Sequence, residues 1–526
     1  MERKNAWEKY TNEELELVNA FAEDYCRFLS ACKTERECVE EFQKQAEAAG
    51  FADLEEVIRE GRTLKPGDRV YANNMGKGMA LYIIGEQPIE EGMNILGAHI
   101  DSPRLDLKQN PLYEDNDMVL FETHYYGGVK KYQWVTLPLA LHGVIAKKDG
   151  TVVKVCVGED PSDPVFGVSD LLIHLSGAQL EKKAARVIEG EDMNVLIGSR
   201  PLPKKSEETF DAAAGAACAG TAAEDGETGA ACAGTAAKGP EAGAASAGNT
   251  TEGGSAPEAS EKTGSTGATE KAEKEKFSAN ILRILKETYG IEEEDFLSAE
   301  IEVVPAGPAR DYGFDRSMIM GYGQDDRVCA YPSFIAMLAV DVPKRTSVCL
   351  LVDKEEIGSV GATGMESRFF ENTTAEVMHA CGSYSELALR RALRRSKALS
   401  SDVSAAFDPN YPLVMEKKNS AYFGRGLVFN KYTGSRGKSG SNDANAEYVA
   451  QVRAVMDNAN VYFQTAELGK VDAGGGGTIA YILGNLNMQV IDSGVAVLNM
   501  HSPWEICSKA DLYEAKCGYE AFLLNA

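Results

Sequence analysis

Residues 347–352 read Ser-Val-Cys-Leu-Leu-Val, a nearly continuous apolar run that ends at Asp353. The run shows no polar/apolar alternation, so a strand here must bury both faces. A parallel sheet covered by helices on both sides meets that demand. The run is far shorter than the roughly 20 apolar residues of a membrane-spanning helix. Met79 to Ile84, Met93 to Ile100 and Val490 to Leu498 also read as strands. Residues 12–60, 280–289, 383–395 and 444–456 carry apolar side chains at helical spacing, and the first of these opens on a cap-like Asn12-Glu13-Glu14-Leu15. Between the outer α/β segments, Val119 to Val157 is rich in β-branched and aromatic residues, with turn signals at Gly127-Gly128 and Lys148-Asp149-Gly150. The expected plan is an α/β fold interrupted by a β-rich middle.

A second break has a different character. From Ser206 to Lys276 the chain turns to Ala, Gly, Thr, Ser and Glu, and the nonapeptide at Gly215 to Ala223 recurs at Gly229 to Ala237. Such text buries too little apolar surface to offset its ordering entropy, and one repeated nonapeptide builds no stacked core. This stretch is expected to be a disordered insertion.

Composition narrows the function classes. The 526-residue chain carries a net charge of −26. Nucleic acid is not expected as a partner, because phosphate binding calls for clustered Lys and Arg. An anionic membrane surface is disfavoured for the same reason, and no signal-like segment or membrane span is read. The 11 cysteines include no Cys-x-x-Cys pair. That pattern suits a reducing, cytoplasmic location better than a disulfide framework or a Cys-ligated zinc site.

The residues able to do chemistry gather at strand ends, where open α/β sheets bind ligands. His99 closes one strand and has Asp101 two residues on, a metal ligand and an orienting carboxylate by type. Asp325 and Asp326 are adjacent acids, a pair that needs a cation or a proton when buried. Glu355 and Glu356 follow the apolar strand and could divide into general base and metal ligand. Asp402 lies in Ser401-Asp402-Val403, and His501 follows the strand ending at Leu498. Taken singly, each cluster also fits a plainer account: a core histidine, a solvated turn or a charged loop. Together they match a two-metal hydrolytic site.

In this order the motifs His99 to Pro103, Asp353 to Ser359, Ser401 to Val403 and Met500 to Ser502 resemble the M18 family of metalloaminopeptidases, the aspartyl aminopeptidases. The resemblance covers nearly the whole chain outside the insertion and fits a bacterial-type member. It implies a zinc-peptidase catalytic domain of three α/β/α layers, split into residues 1–105 and 310–526. A β-rich dimerisation domain at 106–309, with the 206–276 insertion inside it, would interrupt that domain. It also implies two zinc ions per subunit, with cobalt and manganese as alternatives, and a homo-oligomer, a dodecamer built from dimers. His99 and Asp402 would hold one ion, Glu356 and His501 the other, and Asp325 would bridge them. Glu355 would be the general base, Asp101 would orient His99, and the Asp325–Asp326 bond would be cis. His174, reaching into a neighbouring subunit, and Lys431 would contact substrate. Lys431, Arg436 and Lys438 form a basic loop that suits an acidic side chain or a peptide carboxylate. Eukaryotic-type members carry His at the position of Ala405 and Tyr at that of Lys438, so selectivity is the less constrained part.

The implied activity is removal of the N-terminal residue from peptides with a free N-terminus, with Asp and Glu as candidate preferences. Three other readings stand beside it: an M42-type glutamyl aminopeptidase of the same clan, an inactive scaffold on this fold, and an amidohydrolase or carboxypeptidase on a similar core.

Overall fold

The computed structural model describes residues 4–203, 275–435 and 437–526. Nearly all of the low-complexity stretch, and Arg436, lie outside the described residues. The chain divides into two compact units: Met1–Arg104, Tyr125–Gln133 and Val304–Ala526 form the first, and Leu105–His124 with Trp134–Val303 the second.

The first unit is built on a nine-stranded sheet. Its strands are β1 (Ala52–Asp53), β2 (Arg69–Asn74), β3 (Gly78–Ile83), β4 (Asn94–His99), β5 (Ser347–Val352), β6 (Lys397–Ser401), β7 (Leu427–Asn430), β8 (Phe463–Thr465) and β9 (Gln489–Gly494). The spatial order is β1-β2-β3-β5-β4-β6-β9-β7-β8. In the middle, β5, β4, β6 and β9 run parallel, with Val352 beside His99 and Ser401 beside Ser493. Their carboxyl ends therefore share one edge. Every residue of β4 and β5 is buried, which explains the missing alternation.

Successive side chains of these strands enter opposite layers. Cys349 and Leu351 of β5 and Leu96 of β4 pack with Phe28, Phe42, Phe334 and Phe522 of flanking helices. Val348, Leu350 and Val352 pack on the other face with Val57, Phe370, Val377 and Leu393. The result is a three-layer α/β/α arrangement, and each fully buried Val or Leu is worth roughly 1.5–3 kcal/mol to it. The first long helix, Asn12–Ala31, is capped by Thr11 rather than by Asn12, in a reciprocal capping box with Glu14. The Asn and Glu text marked the right turn, but the hydroxyl one residue earlier reaches the free amide.

The expected strand Val490 to Leu498 is two strands. Beyond β9, Ala496–Leu498 joins a separate five-stranded sheet with Arg310–Tyr312, Met318–Gly321, Ser404–Ala405 and Glu505–Ser508. The change of sheet occurs at Gly494, where a Cβ would stand 1.8 Å from the Asp402 carbonyl oxygen. Only glycine permits that approach. This switch carries the chain from the central sheet to the loop holding His501.

The second unit holds most of a seven-stranded sheet that includes Leu139–Ala146, Val152–Val157, and the strands Arg104–Asp115 and Met118–Tyr126, of which Arg104, Tyr125 and Tyr126 count with the first unit. Its helix Lys276–Tyr289 starts four residues before the expected Asn280, because Glu114 accepts the Phe277 and Ser278 amides and stabilises the first turn. Among the described residues no helix is long and apolar enough to cross a membrane. The nine described cysteines are all free.

Candidate metal centre

Most of the chemically active side chains sit at the carboxyl edge of the central sheet of the first unit. His99 ends β4 and is 1% exposed. Its Nε2 faces Asp325 Oδ1 at 3.3 Å and Asp402 Oδ1 at 3.9 Å. His501 faces the same aspartate from the other side: its Nε2 lies 3.2 Å from Asp325 Oδ2 and 3.6 Å from Glu356 Oε2. Asp325 thus offers one oxygen to each histidine, and each histidine has a second carboxylate beside it. Asp325 and Asp326 open the helix Gln324–Ala339 with non-helical dihedral angles, and the peptide bond between them is cis.

Buried polar atoms normally find partners. Here His99 Nε2, Asp325 Oδ1 and Glu356 Oε1 are buried and make no hydrogen bond of acceptable geometry. At this edge, three groupings each bring their donor atoms within 4.8 Å of one another: His99–Glu355–Asp402, His99–Asp325–Glu356 and Asp325–Asp326–Asp402. Imidazole nitrogen and carboxylate oxygen are donors that suit zinc, cobalt and manganese. The residues present therefore fit a divalent cation, and the unpartnered atoms are what such an ion would satisfy.

Electrostatics agree with this. Burial pushes the Glu356 and Asp402 carboxyls well above their ordinary range, and nearby carboxylates add to the shift. Burial also pushes Glu355 up to about 7, with the Asp101 and Asp325 charges adding to it. Asp325 goes the other way: burial opposes its charge, but the two facing imidazoles of His501 and His99 outweigh it and hold the carboxyl low. So many acids in one buried place cost free energy until a cation balances them.

The surrounding hydrogen bonds orient the set. His99 Nδ1 lies 3.0 Å from the Asp101 carbonyl oxygen and 3.3 Å from Asp101 Oδ1. The Asp101 carboxylate accepts from Tyr126 Oη (2.8 Å) and from the Glu355 and Glu356 amides (3.2 Å each). One buried acid thus fixes a histidine and the turn bearing both glutamates. His501 Nδ1 donates to the Gly128 carbonyl at 3.0 Å, and Ser102 Oγ donates to the Asp325 carbonyl at 2.7 Å. A Cβ at Gly128 would meet His501 Nδ1 at 3.2 Å, so the ring would have to give by a few tenths of an ångström.

Nothing in the sequence singles out Tyr126, Gly128 or Glu505. The Gly127-Gly128 pair reads only as a turn, and nothing near Glu505 marks it beyond its place four residues after His501. Lys431 and Lys438 are half exposed and both pair with Asp443. Lys438 also sits 3.6 Å from the centre of the Tyr432 ring. His174 is exposed on the short 3-10 helix Ile173–Leu175 of the second unit.

Comparison with known proteins settles the family. The family described as aminopeptidase I zinc metalloprotease (M18) matches residues 28–219 and 249–523. The chain belongs to the M18 metallo-aminopeptidases. It is 59% identical over 524 residues to a probable M18 family aminopeptidase 1 of Clostridium acetobutylicum, covering 100% of this chain and 98% of that protein. The crystal structure of aminopeptidase I from the same organism superposes with a TM-score of 0.82 at 56% identity, covering 99% of each chain. The M18 aminopeptidase crystal structure from Thermotoga maritima gives 0.83 at 39% identity, covering 100% of each. The comparisons favour M18 over the M42 alternative.

Proposed function

We propose that this M18 chain hydrolyses the N-terminal residue from peptides with two zinc ions per subunit, with cobalt or manganese able to substitute. The observation that carries the reading is Asp325, whose two oxygens each face a histidine that has its own second carboxylate. His99 and Asp402 would hold one ion, Glu356 and His501 the other, with Asp325 shared. Bound zinc supplies Lewis acidity toward the scissile carbonyl and makes water acidic enough to lose a proton near neutral pH.

The protein's own groups do the rest. Glu355 accepts the proton of the attacking water and returns it to the leaving amine, a role suited to a carboxyl that burial has pushed up to about 7. Asp101 holds the Glu355 amide and the His99 ring together, so base and ligand keep one geometry. Cleavage is proposed to require the free α-amine of the substrate, which confines it to the N-terminal residue. Acidic N-terminal residues are the proposed preference. Lys431 and Lys438 are the proposed contacts, and His174 of a neighbouring copy is a third. We take residues 106–309 as the dimerisation element of a cytoplasmic homo-oligomer, a dodecamer built from dimers. The exposed run Leu171, Leu172, Ile173, Leu175 and Leu180 supports an assembly.

The test uses aminoacyl chromogenic substrates and peptides, free and N-acetylated. Turnover should need the free amine, vanish with a chelator and return with zinc. Chelator-resistant turnover, or equal cleavage of acetylated peptides, would overturn the reading.

A further inference from the structure

We propose that Glu505 is a positioning residue of the metal centre, one carboxylate that fixes the main chain of two ligand residues at once. The inference rests on the reading that Asp325 and His501 hold metal. Glu505 is 1% exposed and opens the strand Glu505–Ser508, where it pairs in register with Gly321. Its Oε2 accepts the Asp325 amide at 3.0 Å and its Oε1 accepts the His501 amide at 2.8 Å. Both oxygens are spent on backbone, so the side chain acts through its neighbours.

Three features make this arrangement specific. First, the Asp325 amide comes from a segment 180 residues away, and Glu505 joins it to the His501 loop. Second, His501 has φ +64° and Asn499 has φ +62°. Non-glycine residues enter this left-handed region at a cost, and an acceptor on the His501 amide holds the loop there. Third, Gln324 donates from Nε2 to the Glu505 carbonyl at 2.7 Å and to the Ile319 carbonyl at 3.2 Å, so the residue before Asp325 is tied to the same sheet. The 3.2 Å approach of His501 Nε2 to Asp325 Oδ2 is thus set by a group that touches no metal position. The chemistry also selects the residue type. Two N–H donors converge on one side chain, and a carboxylate offers an acceptor to each. A Gln offers one acceptor and sets its NH2 against the other donor.

The experiment compares full-length wild type, Glu505→Gln and Glu505→Asp. Each is stripped with a chelator, then titrated with zinc against a chromogenic chelator, and its ion content is measured by elemental analysis. Cobalt-loaded absorption spectra report ligand geometry, and circular dichroism reports the fold. Glu505→Gln should lose roughly 10–100-fold in affinity for the more weakly held zinc and shift the cobalt spectrum while staying folded. Glu505→Asp keeps both acceptors but is one methylene short, so it should lose less. Wild-type affinity and spectrum in a folded Glu505→Gln protein would overturn the inference. If that variant fails to fold, unchanged zinc affinity in Glu505→Asp overturns it and a weakened one supports it. Wild-type protein that binds no zinc would overturn the metal reading, and the inference with it, so the two failures are told apart.

Discussion

Around Glu514 and around Asp325 the first unit buries carboxylates to similar depth, but the two places are finished differently. Glu514 accepts from Tyr10 Oη at 2.7 Å, from Lys9 Nζ at 2.9 Å and from the Tyr462 amide at 2.6 Å. Asp511, one helical turn earlier, accepts the Gly424 and Gly426 amides. Here the acids are matched by donors from the chain itself, and they pin the N-terminal segment and a turn to the helix Lys509–Asn525. Around Asp325 the donors fall short: His99 Nε2, Asp325 Oδ1 and Glu356 Oε1 are buried without partners. Buried acid alone therefore does not mark a functional site; several buried acids converging on two histidines, with facing atoms left unsatisfied, do.

The comparison breaks if substitutions in the two places have the same effect. The largest effect is expected at Glu355. Glu355→Gln should lower kcat by about 10²–10⁴-fold, the usual worth of a general base, with zinc content unchanged. Steady-state kinetics with elemental analysis check this, and near-normal turnover would remove Glu355 from the proposed role. Glu514→Gln should do the reverse. It should cost about 1–3 kcal/mol of stability, because one acceptor is lost among buried donors, and leave turnover intact. Thermal denaturation at fixed zinc measures the first part and activity the second.

A third buried acid sharpens the contrast through pH. Asp492 lies in β9, accepts a hydrogen bond from Thr478, and is pushed by burial from its ordinary 3.8 up to about 7. Between those values the folded chain holds a proton that the unfolded chain releases. Stability from this residue is fully present below about pH 4 and declines as pH rises to about 7. Asp492→Asn should remove that slope, so the variant gains on wild type by roughly 3–4 kcal/mol across the window. Denaturant midpoints at pH 4.5, 6 and 8 (three points within and above the window) would show it; a constant difference would refute it. The smallest effect is expected at the basic loop. Lys431 and Lys438 share Asp443 with their side chains 47% and 42% exposed. Replacing Lys431 with Met should change stability by no more than about 0.5 kcal/mol, as for exposed ion pairs. Its readout is KM for substrates with an N-terminal Asp or Glu, which should rise if the loop contacts them.

Much of the architecture is legible in the text of the chain. An apolar strand without alternation demands cover on both faces, and acids and histidines just past such strands stand where a parallel sheet opens its crevice. The Lys431 to Lys438 loop looked like a basic exception in an acidic protein, yet Asp443 already neutralises part of it, a pairing invisible until the turn is folded. The expected single strand to Leu498 hid a change of sheet, because nothing local shows that Gly494 must pass against the Asp402 backbone.

By itself, then, the sequence determined the layer order and the stock of ligand-type side chains, since both follow from local periodicity and residue chemistry. The tertiary structure alone decided that Asp325 divides its two oxygens between His99 and His501. It also decided that Tyr126, Gly128 and Glu505 brace them. The physical reason is reach: hydrogen bonds to main-chain amides and carbonyls carry no residue signature, and segments 180 positions apart meet only once the sheets have formed.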